Sequence, residues 1–116
     1  MDAQIKRKLR GYKAQDEKFE IYSEAHTIRA SDVREMLDAS KGLCTHCAEP
    51  MLTEYAARDM RQWTVDRIDN RMGHNKGNVV VCCLKCNLKR RNIAMDKFRF
   101  TKQLSVVKLD SSISSR

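Results

Sequence analysis

The sequence predicts a small α+β domain in which helix outweighs strand and a modest core is supplemented by a staple. Three observations predict it. Gly and Pro together number only five, too few for the many tight turns of an all-β architecture. Two runs rich in β-branched and aromatic residues, "WTVD" and "NVVVCC", flank a polar segment and read as one hairpin with a long loop. Hydrophobic residues make up 41% of the 116 positions and aromatics 6%, against 33% charged, so burial alone is a weak source of stability at this size.

In chain order, Ile5, Leu9 and Tyr12 stand at helical spacing, and residues 1–29 are predicted as a basic arm or helix. "IRASDVREMLDASKG" predicts a second helix. Ser31 is its expected N-cap, Asp32 and Glu35 sit where the helix dipole favours anions, Val33, Met36 and Leu37 form one face, and Gly42 ends it. Residues 48–62 read as a polar connector in which Pro50 interrupts regular structure and "EYAARDMRQ" forms a short helical turn. The loop 67–77 is too long for a tight turn and too polar for the core. From "CNLKRRNIAMDKF" the pattern is helical, with Leu88 and Ile93 or Met95 inward and Lys89, Arg90 and Arg91 solvated. Residues 30–100 therefore form the main domain, and 101–116 a partly disordered tail ending in "SSISSR".

The net charge of +8 and a pI near 9.5 favour polyanionic partners, nucleic acid before an anionic membrane surface. No apolar run approaches the roughly 18 residues a membrane span needs. "MDAQIKRKLRGYK" has basic residues with no apolar stretch behind them, unlike a secretory signal. A soluble, intracellular protein is expected, in nucleus or cytoplasm. From Lys85 to Lys102 seven Lys or Arg residues face one acid, Asp96, and Lys85, Lys89, Arg90 and Arg91 are the candidate contacts to a nucleic-acid backbone. "KRKLR", residues 6–10, is a second candidate contact.

Five cysteines in a reducing compartment do not suggest disulfides, and four of them fall in two C-x-x-C pairs, Cys44 with Cys47 and Cys83 with Cys86. A C-x-x-C turn presents two thiolates to one side of an ion, and a distant second pair closes a tetrahedron, the arrangement of structural zinc. Four thiolates leave no open position, so this ion is expected to support folding rather than catalysis. Cys82 adjoins a ligand on a strand and should point to the opposite face as a small core residue. His46, inside the first pair, is expected to be a solvent-facing spacer.

"CTHC", a strand ending in "VDRID", a loop with "GH", and "GNVVVCCLKCN" leading into "LKRR" together resemble the zinc-bearing HNH endonucleases of the His-Me finger, or ββα-metal, superfamily, over Leu43 to Arg91. The resemblance implies a small treble-clef-like ββα-metal fold. It also implies a catalytic divalent ion, Mg2+ or Mn2+, held by Asp66 and Asn87, with Asn78 steadying the loop and orienting the base. Such an ion would bind a phosphate oxygen and stabilise the departing oxygen. The sequence departs from the family at one point. Where the family carries the histidine that activates water, Arg67 stands, and a guanidinium cannot serve as a general base.

His74 in the following loop is the natural replacement, since imidazole titrates near neutral pH; the alternative is a loop histidine facing phosphate or water. Asp69 is a candidate second metal ligand or orienter of His74, against an ion-pair partner of Arg67 or Arg71. Arg67 itself would clamp the scissile phosphate. The leading expectation is a metal-dependent endonuclease, acting on DNA rather than RNA, with a homodimer needed for concerted cutting of both strands. The alternative is a noncatalytic zinc-finger-type module binding nucleic acid.

Overall fold

A computed structural model describes residues 1–91; Ile93, Met95, the charges beyond Arg91 and the 101–116 tail lie outside the described residues. Within them the chain forms helix α1 (Asp2–Lys18), helix α2 (Ala30–Ala39), strands β1 (Trp63–Arg67) and β2 (Val79–Cys83), and helix α3 (Leu84–Arg90). The architecture is α+β, with one two-stranded antiparallel sheet. No described helix is long and apolar enough to cross a membrane.

β1 and β2 pair in the register Trp63↔Cys83, Thr64↔Cys82, Val65↔Val81, Asp66↔Val80 and Arg67↔Val79. Strand alternation therefore divides the hairpin into two faces. Trp63 and Val65 lie on the face met by α1, where Trp63 Nε1 donates to Gln4 Oε1 at 3.0 Å and the Lys8 ammonium sits 5.0 Å from the indole ring. Burial is the main cause that lowers the Lys8 pKa, to about 8. Thr64, Asp66 and Cys82 lie on the face met by α3, and Cys82 is fully buried there, on the opposite side from Cys83, as expected. Burial pushes its thiol well above the usual range.

α1 is an integral part of this core rather than an arm. Its stripe of Ile5, Leu9 and Tyr12 packs inward, with Ile5 at 0% exposure, because the 3.6-residue period puts these positions on one face. The Tyr12 hydroxyl accepts a hydrogen bond from the Val65 N–H at 3.0 Å, so α1 also covers the free edge of β1. α2 starts two residues earlier than Ser31 predicts: the N-cap is Arg29, whose N–H donates to Asp32 Oδ2 at 2.8 Å. Gly42 follows the helix end with φ +73°, a left-handed turn.

Three further expectations are corrected. "EYAARDMRQ" forms turns, not a helix, and the connector is tied in strand fashion by Leu52 N–H to the Arg61 carbonyl (2.9 Å) and Trp63 N–H to the Leu52 carbonyl (3.1 Å). Leu88 is 39% exposed and Arg90 is 0% exposed, the reverse of the predicted helix face. The face of α3 is set by Cys86, Asn87 and Arg90, spaced to meet the other three paired cysteines and β1, which turns Leu88 outward. The polar loop 67–77 is partly core: Gly73 and His74 are buried.

That loop is pinned by long-range contacts. Ile28 N–H donates to the His74 carbonyl at 2.9 Å, and Lys76 N–H to the His26 carbonyl at 2.9 Å. Gly73 is required by close approach, because a Cβ there would lie 2.7 Å from Asp16 Oδ2 and 2.8 Å from the Ile21 carbonyl oxygen. Gly73→Ala is expected to cost about 1–3 kcal/mol through overpacking. A lowered urea midpoint at unchanged m-value would show it, and an unchanged midpoint would contradict the contact.

Candidate metal centre and cleft

The cysteine pairs converge. α2 delivers the chain to a knuckle in which Cys44 N–H donates to the Glu49 carbonyl (2.9 Å) and Met51 N–H to the Gly42 carbonyl (2.8 Å). Ala48, at φ +62°, lets the knuckle turn. Thr45 N–H then donates to the Val81 carbonyl at 3.0 Å, docking the knuckle on β2. Cys83 ends β2 and Cys86 lies in the first turn of α3, so the four sulfurs come within 4.8 Å of one another. Cys47 Sγ and Cys83 Sγ are 3.9 Å apart, close to the edge of a tetrahedron with metal–sulfur bonds of about 2.3 Å. The N–H groups of His46 and Cys47 point at Cys44 Sγ at 3.4 and 3.5 Å. Burial raises the Cys44 thiol, but N–H donors from Cys47, Cys83 and His46 outweigh it and hold Cys44 below its ordinary value. The group is compatible with a structural ion such as zinc.

On the other face of the hairpin, Asp66 sits between the knuckle and α3. Its Oδ1 accepts from Arg90 Nη1 at 2.7 Å, and its Oδ2 is 3.5 Å from His46 Nε2. The expectation for His46 is therefore corrected: its side chain is 1% exposed and faces a carboxylate instead of solvent. Arg90 is corrected likewise. Its guanidinium reaches Asp66 and the backbone carbonyls of Arg67 and Ile68, the latter at 2.9 Å, and is not available to a nucleic-acid backbone. Lys85, Lys89 and Arg91 remain exposed.

Next to Asp66 opens a cleft of about 160 Å³, lined by Tyr12 and Gln15 of α1, Val65, Asp66 and Arg67 of β1, Asn70 and His74 of the loop, Asn87 of α3, and Arg91. Five of the sequence-predicted site residues, Asp66, Arg67, His74, Asn87 and Arg91, thus share one cavity. Asn87 Nδ2 donates to Thr64 Oγ1 (3.1 Å) and the Val65 carbonyl (3.4 Å), which leaves its Oδ1 as a potential ligand. Arg67 Nη1 donates to the Asn70 and Met72 carbonyls at 3.3 and 3.4 Å. Its guanidinium braces the loop it lines.

Asn78 is a loop brace too. Its Oδ1 accepts from the Asp69 N–H at 2.9 Å, and its Nδ2 donates to the Asp69 and Gly73 carbonyls at 3.1 and 2.9 Å. Asp69 does not line the cleft or bond His74. Its carboxylate accepts from the Arg71 N–H at 2.9 Å and from the Arg71 guanidinium at 3.0 and 3.1 Å, and that guanidinium holds it below the usual carboxylate range. The side chain that does meet His74 is Asp16, at 2.8 Å from Nδ1, with Tyr12 stacked on the ring at 4.4 Å and 17°. Burial is the main influence on the imidazole and pulls its pKa below the ordinary value, against the opposing hydrogen bond and charge of Asp16.

Tyr12, Gln15 and Asp16 were missed as site residues in the sequence. One signal was present: Asp16 continues the stripe Ile5, Leu9, Tyr12 at helical spacing, and an acid on an apolar face has to find a partner. No protein-family model matches the chain, and no curated protein matches it.

Proposed function

We propose that the protein is a metal-dependent endonuclease of the HNH type, with the cysteine cluster holding structural zinc in a treble-clef-like ββα-metal domain, and DNA as its preferred substrate. The observation that carries this reading is the cleft shared by Asp66, Asn87 and His74. The donor set suits a hard cation. Asp66 Oδ2 is a buried carboxylate oxygen with His46 Nε2 3.5 Å away, and Asn87 Oδ1 is the second oxygen. Mg2+ or Mn2+, when bound there, would supply Lewis-acid stabilisation of charge on a phosphate and its departing oxygen.

The chain's own residues perform the rest. His74, kept neutral near pH 7 by burial, offers Nε2 as the acceptor of a water proton, because Nδ1 is engaged by Asp16. Asn78 holds the loop that carries it. Arg67 and Arg91 supply positive charge at the cleft wall, and exposed Lys85 and Lys89 extend it along α3 toward the backbone of a bound strand.

With supercoiled plasmid and Mg2+ or Mn2+, the wild type is expected to nick, and His74→Ala to lower the rate by about 10²–10⁴-fold. Asp66→Asn and Asn87→Ala should abolish metal-dependent cleavage. The rate should rise with pH through a midpoint below the ordinary histidine value of 6.5, since the neutral imidazole is the working form. Absence of metal-dependent cleavage of every DNA and RNA form tested would sink the reading.

A noncatalytic nucleic-acid-binding zinc module is favoured by one observation, the Arg90 guanidinium already on Asp66 Oδ1. Salt-sensitive binding to DNA without cleavage, unchanged by Asp66→Asn, would select it.

A further inference from the structure

We propose that Asp16 is the positioning residue for His74: a carboxylate from α1, outside the segment that carries the HNH resemblance, which fixes the imidazole tautomer and aims Nε2 at the cleft. Its consequence for rate rests on the nuclease reading; the tautomer itself does not.

The two residues are 58 positions apart, and the contact has two points. Asp16 Oδ1 meets Nδ1 at 2.8 Å, and Oδ2 accepts the His74 backbone N–H at 2.7 Å. An ionised carboxylate only accepts hydrogen bonds, so the proton of a neutral imidazole belongs on Nδ1 and the lone pair on Nε2. Tyr12 closes one ring face, and Gly73 leaves the space through which the carboxylate reaches the loop. A role confined to anchoring the loop would need only the backbone contact. The second oxygen on Nδ1 is what orients a base.

Asp16 is 1% exposed, on a helix face otherwise made of Ile5, Leu9 and Tyr12. Burying a carboxylate there is costly unless it is paired, and both its oxygens are used on one residue. The charged and titratable groups around His74 are Asp16 and Tyr12 from α1, Asp66 and Arg67 from β1, and Arg91 at the end of α3, which lines the same cleft. Of these, Asp16 and Asp66 favour the imidazolium and Arg67 opposes it. Removing the Asp16 charge therefore lowers the His74 pKa further.

The test is made on the full chain. Long-range proton–nitrogen NMR spectra of the imidazole rings, with His74 assigned by its loss in His74→Ala, should show the Nδ1–H tautomer in the wild type. Asp16→Asn should mix the tautomers and lower the plateau cleavage rate by about 10–100-fold, the usual effect of losing an orienting partner. The acid limb should move to lower pH, with KM unchanged. An Nε2–H tautomer in the wild type overturns the proposal, whether or not the variant folds. So does a folded Asp16→Asn with tautomer and acid limb unaltered. A wild type that shows the Nδ1–H tautomer, lost in Asp16→Asn, and cleaves nothing upholds the positioning while removing the nuclease reading.

Discussion

Arg90→Met is expected to destabilise the protein by about 3–5 kcal/mol, a large part of the roughly 5–15 kcal/mol available to a domain of this kind. The side chain is completely buried and is the only described cation within hydrogen-bond reach of Asp66 Oδ1. It also satisfies the carbonyls of Arg67 and Ile68, where β1 leaves the sheet and the loop begins. Truncation leaves a desolvated carboxylate and two carbonyls without their donor, and the loss is chiefly that uncompensated burial. Arg90→Lys should not rescue it, because one ammonium cannot reproduce a planar fork spanning three acceptors. Pairing Arg90→Met with Asp66→Leu should recover part of the loss, since the orphaned charge goes with its partner. Urea titrations of the four proteins measure these differences; a midpoint unchanged in Arg90→Met would contradict the buried network.

Stripping the metal from the cysteine cluster is expected to unfold the domain cooperatively. Apparent binding energies of structural zinc run to about 10–16 kcal/mol, as large as the roughly 5–15 kcal/mol net stability of a whole domain. The expectation rests on geometry: the cluster joins the knuckle after α2, the end of β2 and the first turn of α3 at one point. Purified protein should carry one zinc per chain. A strong chelator should abolish the far-UV circular dichroism of the folded state, and zinc returned under reducing conditions should restore it. Cys86→Ser should bind metal weakly and fold poorly, whereas Cys82→Ser should keep its zinc. Folded protein with negligible zinc would overturn the four-thiolate reading.

The hairpin was legible in the sequence because "WTVD" and "NVVVCC" carry local β-branched chemistry, and the cysteine group because a two-residue gap recurs. The α1 stripe was legible from periodicity for the same local reason. The helix face of α3 was not. Charge suggested solvent for Arg90 and hydropathy suggested burial for Leu88, but the orientation of α3 is dictated by Cys86 on the cluster and by Asn87 against Thr64. His46 was misread for a similar reason: the knuckle docks on β2 through Thr45, and that docking turns the neighbouring ring inward to Asp66.

By itself, then, the sequence determined the two hairpin strands, the apolar stripe of α1 and the two C-x-x-C pairs, since all follow from spacings of a few residues along the chain. Only the tertiary structure decided which charges are buried and which loop residue shares a cleft with Asp66 and Asn87. His74 is brought there by Asp16, 58 residues earlier, and by the pairing of residues 26–28 with the loop. Contacts at that separation depend on how α1 packs across the sheet edge, and no local propensity encodes the partner of a buried acid.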